Sequence, residues 1–454
     1  MCSVSVYCYF NIEHDNNNSQ IAENINFPEY HNRLWRFSKT GKNVICLFLD
    51  CFTGDHVIKI LQEHPELIKE LDGFIYFPDT LATGSLTHYS ALAIYGGAAY
   101  RPNILNERPN VTIAEKYSEA FSILPNIFTS KDYDVIMTGP NLSENDTSYI
   151  GKLIHPESVM TLDDHQWRSD YVPYWMKWAE KNNVSFTKKD SNDISKFLLV
   201  LSLFRTVPFS FRARIYHRGN WVWGVSNQVL RMNLEKTFLP DLAVLQFMGD
   251  YIKAEGDKPT FKFIYDTLSH PSWFMQPDSL HPVLDPYPET PGQFILVDGL
   301  FPEHYYTEVH IMRFIAKLVA SFKSLGIYDN TRIVLVSDHD FRDSWQMNQN
   351  FAISGYTTHP SALLMFKDFD SHGDLITSDA LMSIEDTPSL LIDGIAKYNG
   401  FYTLDELKKL SSADRIRISC GFASNTTSKI FSLEGGLFQV KGTMFKPENW
   451  TRLQ

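Results

Sequence analysis

Apolar residues run along this chain in short unbroken stretches, separated by longer segments of helical period. Asn43–Leu49 (NVICLFL) is the clearest stretch and stops at Asp50. A short run without polar alternation predicts a strand buried on both faces, as in parallel sheets. Phe74–Phe77, Val135–Thr138, Phe261–Tyr265, Phe294–Val297, Ile333–Val336 and Ala362–Phe366 have the same character. Val57, Ile58, Ile60, Leu61, Leu67, Ile68 and Leu71 carry helical spacing up to Gly73. Tyr305–Leu325 is the strongest helix, with Val309, Met312, Ile315, Leu318, Val319 and Phe322 on one stripe and Gly326 just past its end. Strands alternating with helices predict an α/β fold with a mostly parallel central sheet and helices on both faces. The tail differs. Lys429–Val440 and Thr443–Phe445 alternate around Gly435-Gly436 and predict a small antiparallel C-terminal hairpin. The organisation expected is an irregular, Asn-rich lead-in over 1–40, a main domain over 41–400 and a C-terminal extension over 401–454, without internal repeats.

Composition narrows the function classes. Of 454 residues, 44% are hydrophobic and 21% charged, enough apolar material for a large core and too much for a disordered chain. A net charge of −12 excludes a global nucleic-acid binder. The five cysteines show no CxxC, so the chain is not a disulfide scaffold, although a bridge or two stays open. The longest apolar run, Phe197–Phe204, is less than half the roughly 18–20 residues that a spanning helix needs. The first residues lack the basic region of a signal peptide. The chain as given reads as a soluble or surface-bound body, compatible with being part of something longer.

One window departs from this acidic background. Residues 194–234 hold no Asp or Glu but carry Lys196, Arg205, Arg212, Arg214, Arg218 and Arg231 among Phe197, Phe204, Phe209, Phe211, Tyr216, Trp221 and Trp223. Two readings are open: a core segment with solvated arginines, or a membrane-interface insertion whose arginines meet anionic headgroups while the aromatics sit at the acyl boundary.

In an open α/β sheet, ligands gather at the carboxyl ends of the strands. Asp50 ends the first run, Asp338-His339-Asp340 follow Ile333–Ser337, and Asp266 ends Phe261–Tyr265 with His270 shortly after. His359 precedes Pro360 and the Ala362–Phe366 run. Carboxylates mixed with imidazoles suit Zn²⁺ or Mn²⁺. Any one of these aspartates alone reads more readily as a helix cap than as a ligand. The hydroxyl-rich segment Thr83-Gly84-Ser85-Leu86-Thr87-His88-Tyr89-Ser90 looks like a loop opening a helix. A helix N-terminus offers free N–H groups to a phosphate, although a plain Ser/Thr cap accounts for the same pattern.

Together these motifs resemble the alkaline phosphatase/sulfatase superfamily. Within it they resemble the catalytic domains of membrane-anchored lipid A phosphoethanolamine transferases and lipoteichoic acid synthases. The residues that carry the resemblance are Asn43–Asp50, Gly84-Ser85-Leu86-Thr87-His88-Tyr89-Ser90, Tyr328–His339 and His359, within roughly residues 41–395. It implies a divalent metal, Zn or Mn, held by Asp50, Thr87, Asp338 and His339. It also implies a Thr87 nucleophile, with His270 and His359 on the substrate side as catalytic residues. Asp266, His270 and His359 would complete a second metal site in a two-metal phosphodiesterase or phosphatase. The implied activity is phosphoryl transfer through a phosphothreonine, moving a phosphoethanolamine- or glycerophosphate-type substituent to a glycan or lipid-linked acceptor. The setting implied is extracytoplasmic, periplasmic or on the outer face of an inner membrane, with the 194–234 window touching the bilayer. A non-catalytic member that keeps the fold is the reading from another class; Thr87 together with Asp50, Asp338 and His339 argues against it. Asp stands at position 50 where the transferases have Glu, and Asp340 where they have Gly. The Cys/Ser-x-Pro-x-Arg element of sulfatases has no match at Thr87-His88-Tyr89-Ser90-Ala91.

Overall fold

The computed structural model describes residues 27–139, 152–162, 166–184, 191–216, 222, 234–277, 279, 281–283, 296–297, 299–344, 360–409, 415–421 and 426–453. The apolar runs become strands: β1 (Asn43–Leu49), β2 (Phe74–Tyr76), β3 (Asp134–Thr138), β4 (Val159–Leu162), β5 (Thr260–Asp266), β6 (Thr331–Val336), β7 (Leu364–Lys367) and β8 (Ile376–Thr377). They form an eight-stranded sheet in the order β8-β2-β7-β6-β1-β5-β3-β4. Every residue of β1, β5 and β6 is buried, as expected of strands covered on both faces.

The period of two shows which layer covers which face. Ile45, Leu47 and Leu49 belong to one apolar cluster, Val44, Cys46 and Phe48 to another. The first cluster holds Val309, Met312, Ile315 and Leu318 of α8 (Pro302–Ser324) and Leu242 and Leu245 of α7 (Leu239–Tyr251). The second holds Ala91 and Leu92 of α2 (Thr87–Gly96), Phe121 and Leu124 of α3 (Ile113–Thr129) and Leu390 and Leu391 of α9 (Thr387–Ile392). Each fully buried Leu, Ile or Phe contributes about 1.5–3 kcal/mol, so the two layers fix the sheet between them.

β7 is the exception to parallel order and pairs antiparallel with both β6 and β2. Its entry is tied to the end of β6, because the Ser361 N–H donates to Asp340 Oδ2 at 3.1 Å. A chain that enters beside the carboxyl end of β6 must run back along it. The apolar content of Ala362–Phe366 carries no such direction.

Three segments differ in detail from expectation. Residues 30–37 are not irregular: Tyr30–Leu34 is a short helix and Arg36–Phe37 pairs with Lys253–Ala254, because Leu34, Trp35 and Phe37 are needed in the core. The C-terminal unit is a three-stranded antiparallel sheet, with Leu437–Lys441 between Ile416–Cys420 and Trp450–Arg452. Of Phe294–Val297, the first two residues lie outside the described part, and Val297 makes an isolated bridge to Leu300.

Candidate metal centre

Parallel register brings the chemistry together. Phe48 of β1 is level with Val336 of β6, so Asp50 and Asp338, each two residues further on, leave the sheet side by side. The turn after β1 needs a left-handed residue, and Cys51 adopts φ +68°. Its N–H then donates to Asp338 Oδ1 at 3.1 Å, and the His339 N–H donates to the same oxygen at 3.0 Å. Asp50, Asp338 and His339 are all buried, and their ligand atoms lie within 4.8 Å of one another.

The nucleophile candidate arrives on α2. Leu86 enters the helix in extended conformation (φ −148°, ψ 150°), which makes Thr87 its first residue. Thr87 is half-buried. Its Oγ1 lies 3.4 Å from Asp50 Oδ1 and 3.4 Å from His339 Nε2. Gly84 is required just before it: a Cβ there would meet Tyr89 Cβ at 2.5 Å. Ser90 is fully buried and donates to Gly84 O at 2.7 Å, so this serine shapes the loop rather than facing substrate.

The donor set fits a divalent cation. His339 Nδ1 faces Asp340 O, an acceptor only, at 2.9 Å, so Nδ1 carries the hydrogen and Nε2 is left as a lone pair toward Asp50 and Asp338. The Nε2 atom is 3.8 Å from Asp50 Oδ1 and 3.4 Å from Asp338 Oδ2. Asp338 Oδ2 is buried with no hydrogen-bond partner, a cost that a cation would remove. Burial and then the Asp50 carboxylate push Asp338 up to about 6. For His339, burial works against the imidazolium, but Asp338 and Asp50 outweigh it and raise the pKa. Two carboxylates and an imidazole crowded this closely favour added positive charge.

Surrounding groups hold the candidate ligands, and several were not visible in the sequence. The Tyr265 hydroxyl donates to Asp50 Oδ2, and Ser269 Oγ donates to Asp50 O at 2.7 Å. Ser337 Oγ donates to Phe52 O and accepts from the Leu363 N–H, each at 2.7 Å, so it locks the end of β6. Asp340 is buried and accepts from the Arg342 and Ser361 N–H groups, which accounts for an acid at that position as a turn brace. His88, next to Thr87, is pushed below its ordinary pKa by burial and then by His339. The C-terminal sheet braces the same loop: Cys420 N–H donates to Thr83 O at 3.0 Å, and the Tyr89 hydroxyl donates to Ser432 O at 2.9 Å. Such partners are far apart in sequence, and a lone Tyr or Ser at a strand end carries no signal.

Two other expected residues, Asp266 and His270, fall outside this group. Asp266 is level with Leu49, one residue short of Asp50 and of the opposite side-chain parity; its Oδ1 accepts from the Leu268 N–H at 2.9 Å. His270 is exposed, with Nδ1 3.1 Å from Pro271 O. Neither belongs to the Asp50–Asp338–His339 group, and His359 lies outside the described residues. Cys46, Cys51 and Cys420 are free and buried.

The basic-aromatic window is described in part. Helices α5 (Ser191–Thr206) and α6 (Phe209–Tyr216) expose Leu198, Leu199, Phe209, Phe211 and Tyr216, with Phe209 at 85% exposure. Arg212 lies over the Phe204 ring and Arg214 over the Phe211 ring. Arg218, Trp221, Trp223 and Arg231 lie outside the described residues. Among the described residues, no helix is long and apolar enough to cross a membrane.

No family model and no curated protein matches the sequence. Solved structures similar to the chain include the phosphonate monoester hydrolase of Agrobacterium radiobacter (12% identity, 91% of this chain and 88% of that one, TM-score 0.47). A second is a protein of the alkaline phosphatase superfamily from Vibrio parahaemolyticus (12% identity, 92% and 83%, TM-score 0.44). A third is the lipoteichoic acid synthase LtaP from Listeria monocytogenes (12% identity, 86% and 79%, TM-score 0.39). Likeness at this level decides nothing about chemistry, which has to be read from the chain's own side chains.

Proposed function

We propose that the chain is a metal-dependent phosphoryl-transfer enzyme that uses Thr87 as its nucleophile. The observation that carries this reading is the convergence of Thr87 Oγ1, Asp50 Oδ1 and His339 Nε2 at a half-open helix start. A divalent ion, Zn or Mn by the donor set, would be held by Asp50, Thr87, Asp338 and His339. Once bound, it supplies Lewis-acid neutralisation of the threonine oxygen and of the phosphoryl oxygens.

The chain's own groups do the rest. Asp50 and Asp338 hold Thr87 from one side, and the free N–H groups at the start of α2 face an anionic phosphoryl group. In-line attack forms the Thr87 Oγ–P bond and breaks the bond from phosphorus to the leaving oxygen. The threonine proton passes along the 3.4 Å contact to Asp50 Oδ1. A second oxygen nucleophile, from water or an acceptor hydroxyl, then displaces Thr87 and returns the proton. His270 and His359 are assigned to phosphate oxygens on the substrate side.

The acceptor proposed is a glycan or lipid-linked hydroxyl at an extracytoplasmic membrane surface. Exposed Leu198, Leu199, Phe209 and Phe211 beside Arg212 and Arg214 support contact with an anionic bilayer. Intact-mass analysis tests the chemistry. After incubation with bis-p-nitrophenyl phosphate or a phosphoethanolamine lipid, a phospho-adduct should map to Thr87. Turnover with no adduct in quenched samples, together with full activity of a Thr87→Ala variant, rejects the covalent route.

A further inference from the structure

A second cluster lies outside this centre. His56 begins α1 (His56–Glu63), and His304 and Glu308 stand one helical turn apart on α8; all three are fully buried. Their ligand atoms lie within 4.8 Å of one another. None belongs to the motifs that carry the family resemblance.

The outer hydrogen bonds fix which ring atoms face inward. His56 Nε2 lies 2.6 Å from Asp343 O, which can only accept, so Nε2 holds the hydrogen and Nδ1 points at Glu308 Oε2, 2.5 Å away. His304 Nδ1 lies 2.9 Å from Asp343 Oδ2. That leaves His304 Nε2 facing Glu308 Oε1 at 2.9 Å. Close as this approach is, the buried Nε2 is left without a hydrogen bond of good geometry. Glu308 Oε1 is itself oriented by the Thr53 N–H at 2.7 Å. Histidines whose outer nitrogens are tied to a carboxylate and a backbone carbonyl, with inner nitrogens aimed at one carboxylate, have the habit of metal ligands.

We infer that His56 Nδ1, His304 Nε2 and the Glu308 carboxylate form a second divalent-metal site, of zinc class, which ties the turn after β1 to α8. Two imidazoles and one carboxylate are a zinc-type donor set. The pocket needs positive charge to balance Glu308 and Asp343. Two extra imidazole protons or one dication would supply it equally. The unsatisfied, fully buried His304 Nε2 favours the dication, because an ion between it and Glu308 uses both lone pairs. Full burial makes the role structural: Thr53 and Asp343, both held by this cluster, lie on the chain segments that follow Asp50 and His339.

The Asp338→Asn/His339→Ala variant of the full chain removes ligands of the first centre and leaves this cluster intact. Stripped with chelator and dialysed with zinc chloride, it should retain one equivalent of zinc by elemental analysis and melt several degrees above its stripped form. Adding His304→Gln should remove both the equivalent and the shift, and Glu308→Gln serves where that variant does not fold. Cobalt(II) in the Asp338→Asn/His339→Ala variant should show the intense visible absorption of a low-coordinate ion. The inference is overturned if that variant holds no zinc, if folded His304→Gln or Glu308→Gln forms keep it undiminished, or if cobalt gives only the weak spectrum of a six-coordinate ion.

Discussion

Thr87→Ala separates chemistry from folding more sharply than any other change at this site. The hydroxyl lies 3.4 Å from both Asp50 Oδ1 and His339 Nε2, at the limit of hydrogen bonding. A well-formed neutral hydrogen bond contributes about 0.5–1.5 kcal/mol, so these contribute less. Thr87 does not cap its helix, since the cap position is Leu86, and alanine gains a few tenths of a kcal/mol at a helical position. The net stability change should therefore stay below about 1 kcal/mol, a shift of roughly 2 °C or less in a chain of this size. Loss of the proposed nucleophile should lower kcat/KM on bis-p-nitrophenyl phosphate by at least about 10³-fold, or about 4 kcal/mol in the barrier. Thr87→Ser keeps the oxygen and should fall in between. Steady-state kinetics at saturating Zn²⁺ or Mn²⁺, paired with a thermal melt, read both quantities. An alanine variant that retains more than a tenth of wild-type activity refutes the nucleophile assignment; Ser90 is buried and could not take over.

Further expectations follow from the same geometry. Tyr265→Phe deletes the hydroxyl that orients Asp50 and should weaken metal binding about 10–100-fold with folding intact; unchanged affinity by metal titration would remove Tyr265 from the site. Gly54→Ala would put a Cβ 2.1 Å from Ala362 O, between the turn after β1 and the entry to β7, and should cost more than about 2 kcal/mol in denaturant melts, whereas Gly256→Ala, with open space around it, strains only its own backbone. Burial lowers the Lys262 pKa to about 7 from the usual 10.5, so the unfolded chain holds the extra proton between these values and stability should rise with pH across that window. Lys262→Met should be more stable than wild type at pH 7, by about 4 kcal/mol at most, with the difference shrinking toward pH 10. The chain should float with anionic liposomes at low salt and less so after Phe209→Asp/Arg212→Ala; equal flotation of wild type and variant excludes this surface.

Much of the fold was legible because β1, β5 and β6 must be apolar on both faces, and α8 must turn one stripe to the sheet. Those periods are set by local geometry and appear in the residues themselves. Asp50, Thr87, Asp338 and His339 were singled out by motif resemblance and strand-end placement, and the fold brings the four side chains close together. What the linear order could not give was register. Phe48 beside Val336 makes neighbours of Asp50 and Asp338, while Leu49 beside Asp266 turns that third aspartate to the other parity. The direction of β7 depends on Ser361 being pinned to Asp340, a contact across the site. The Tyr265 brace, the C-terminal sheet under Thr83 and the His56–His304–Glu308 cluster all join residues far apart in sequence. Local periodicity is a property of the chain, whereas convergence of polar atoms in a buried space depends on how whole elements pack, and only the tertiary structure decides it.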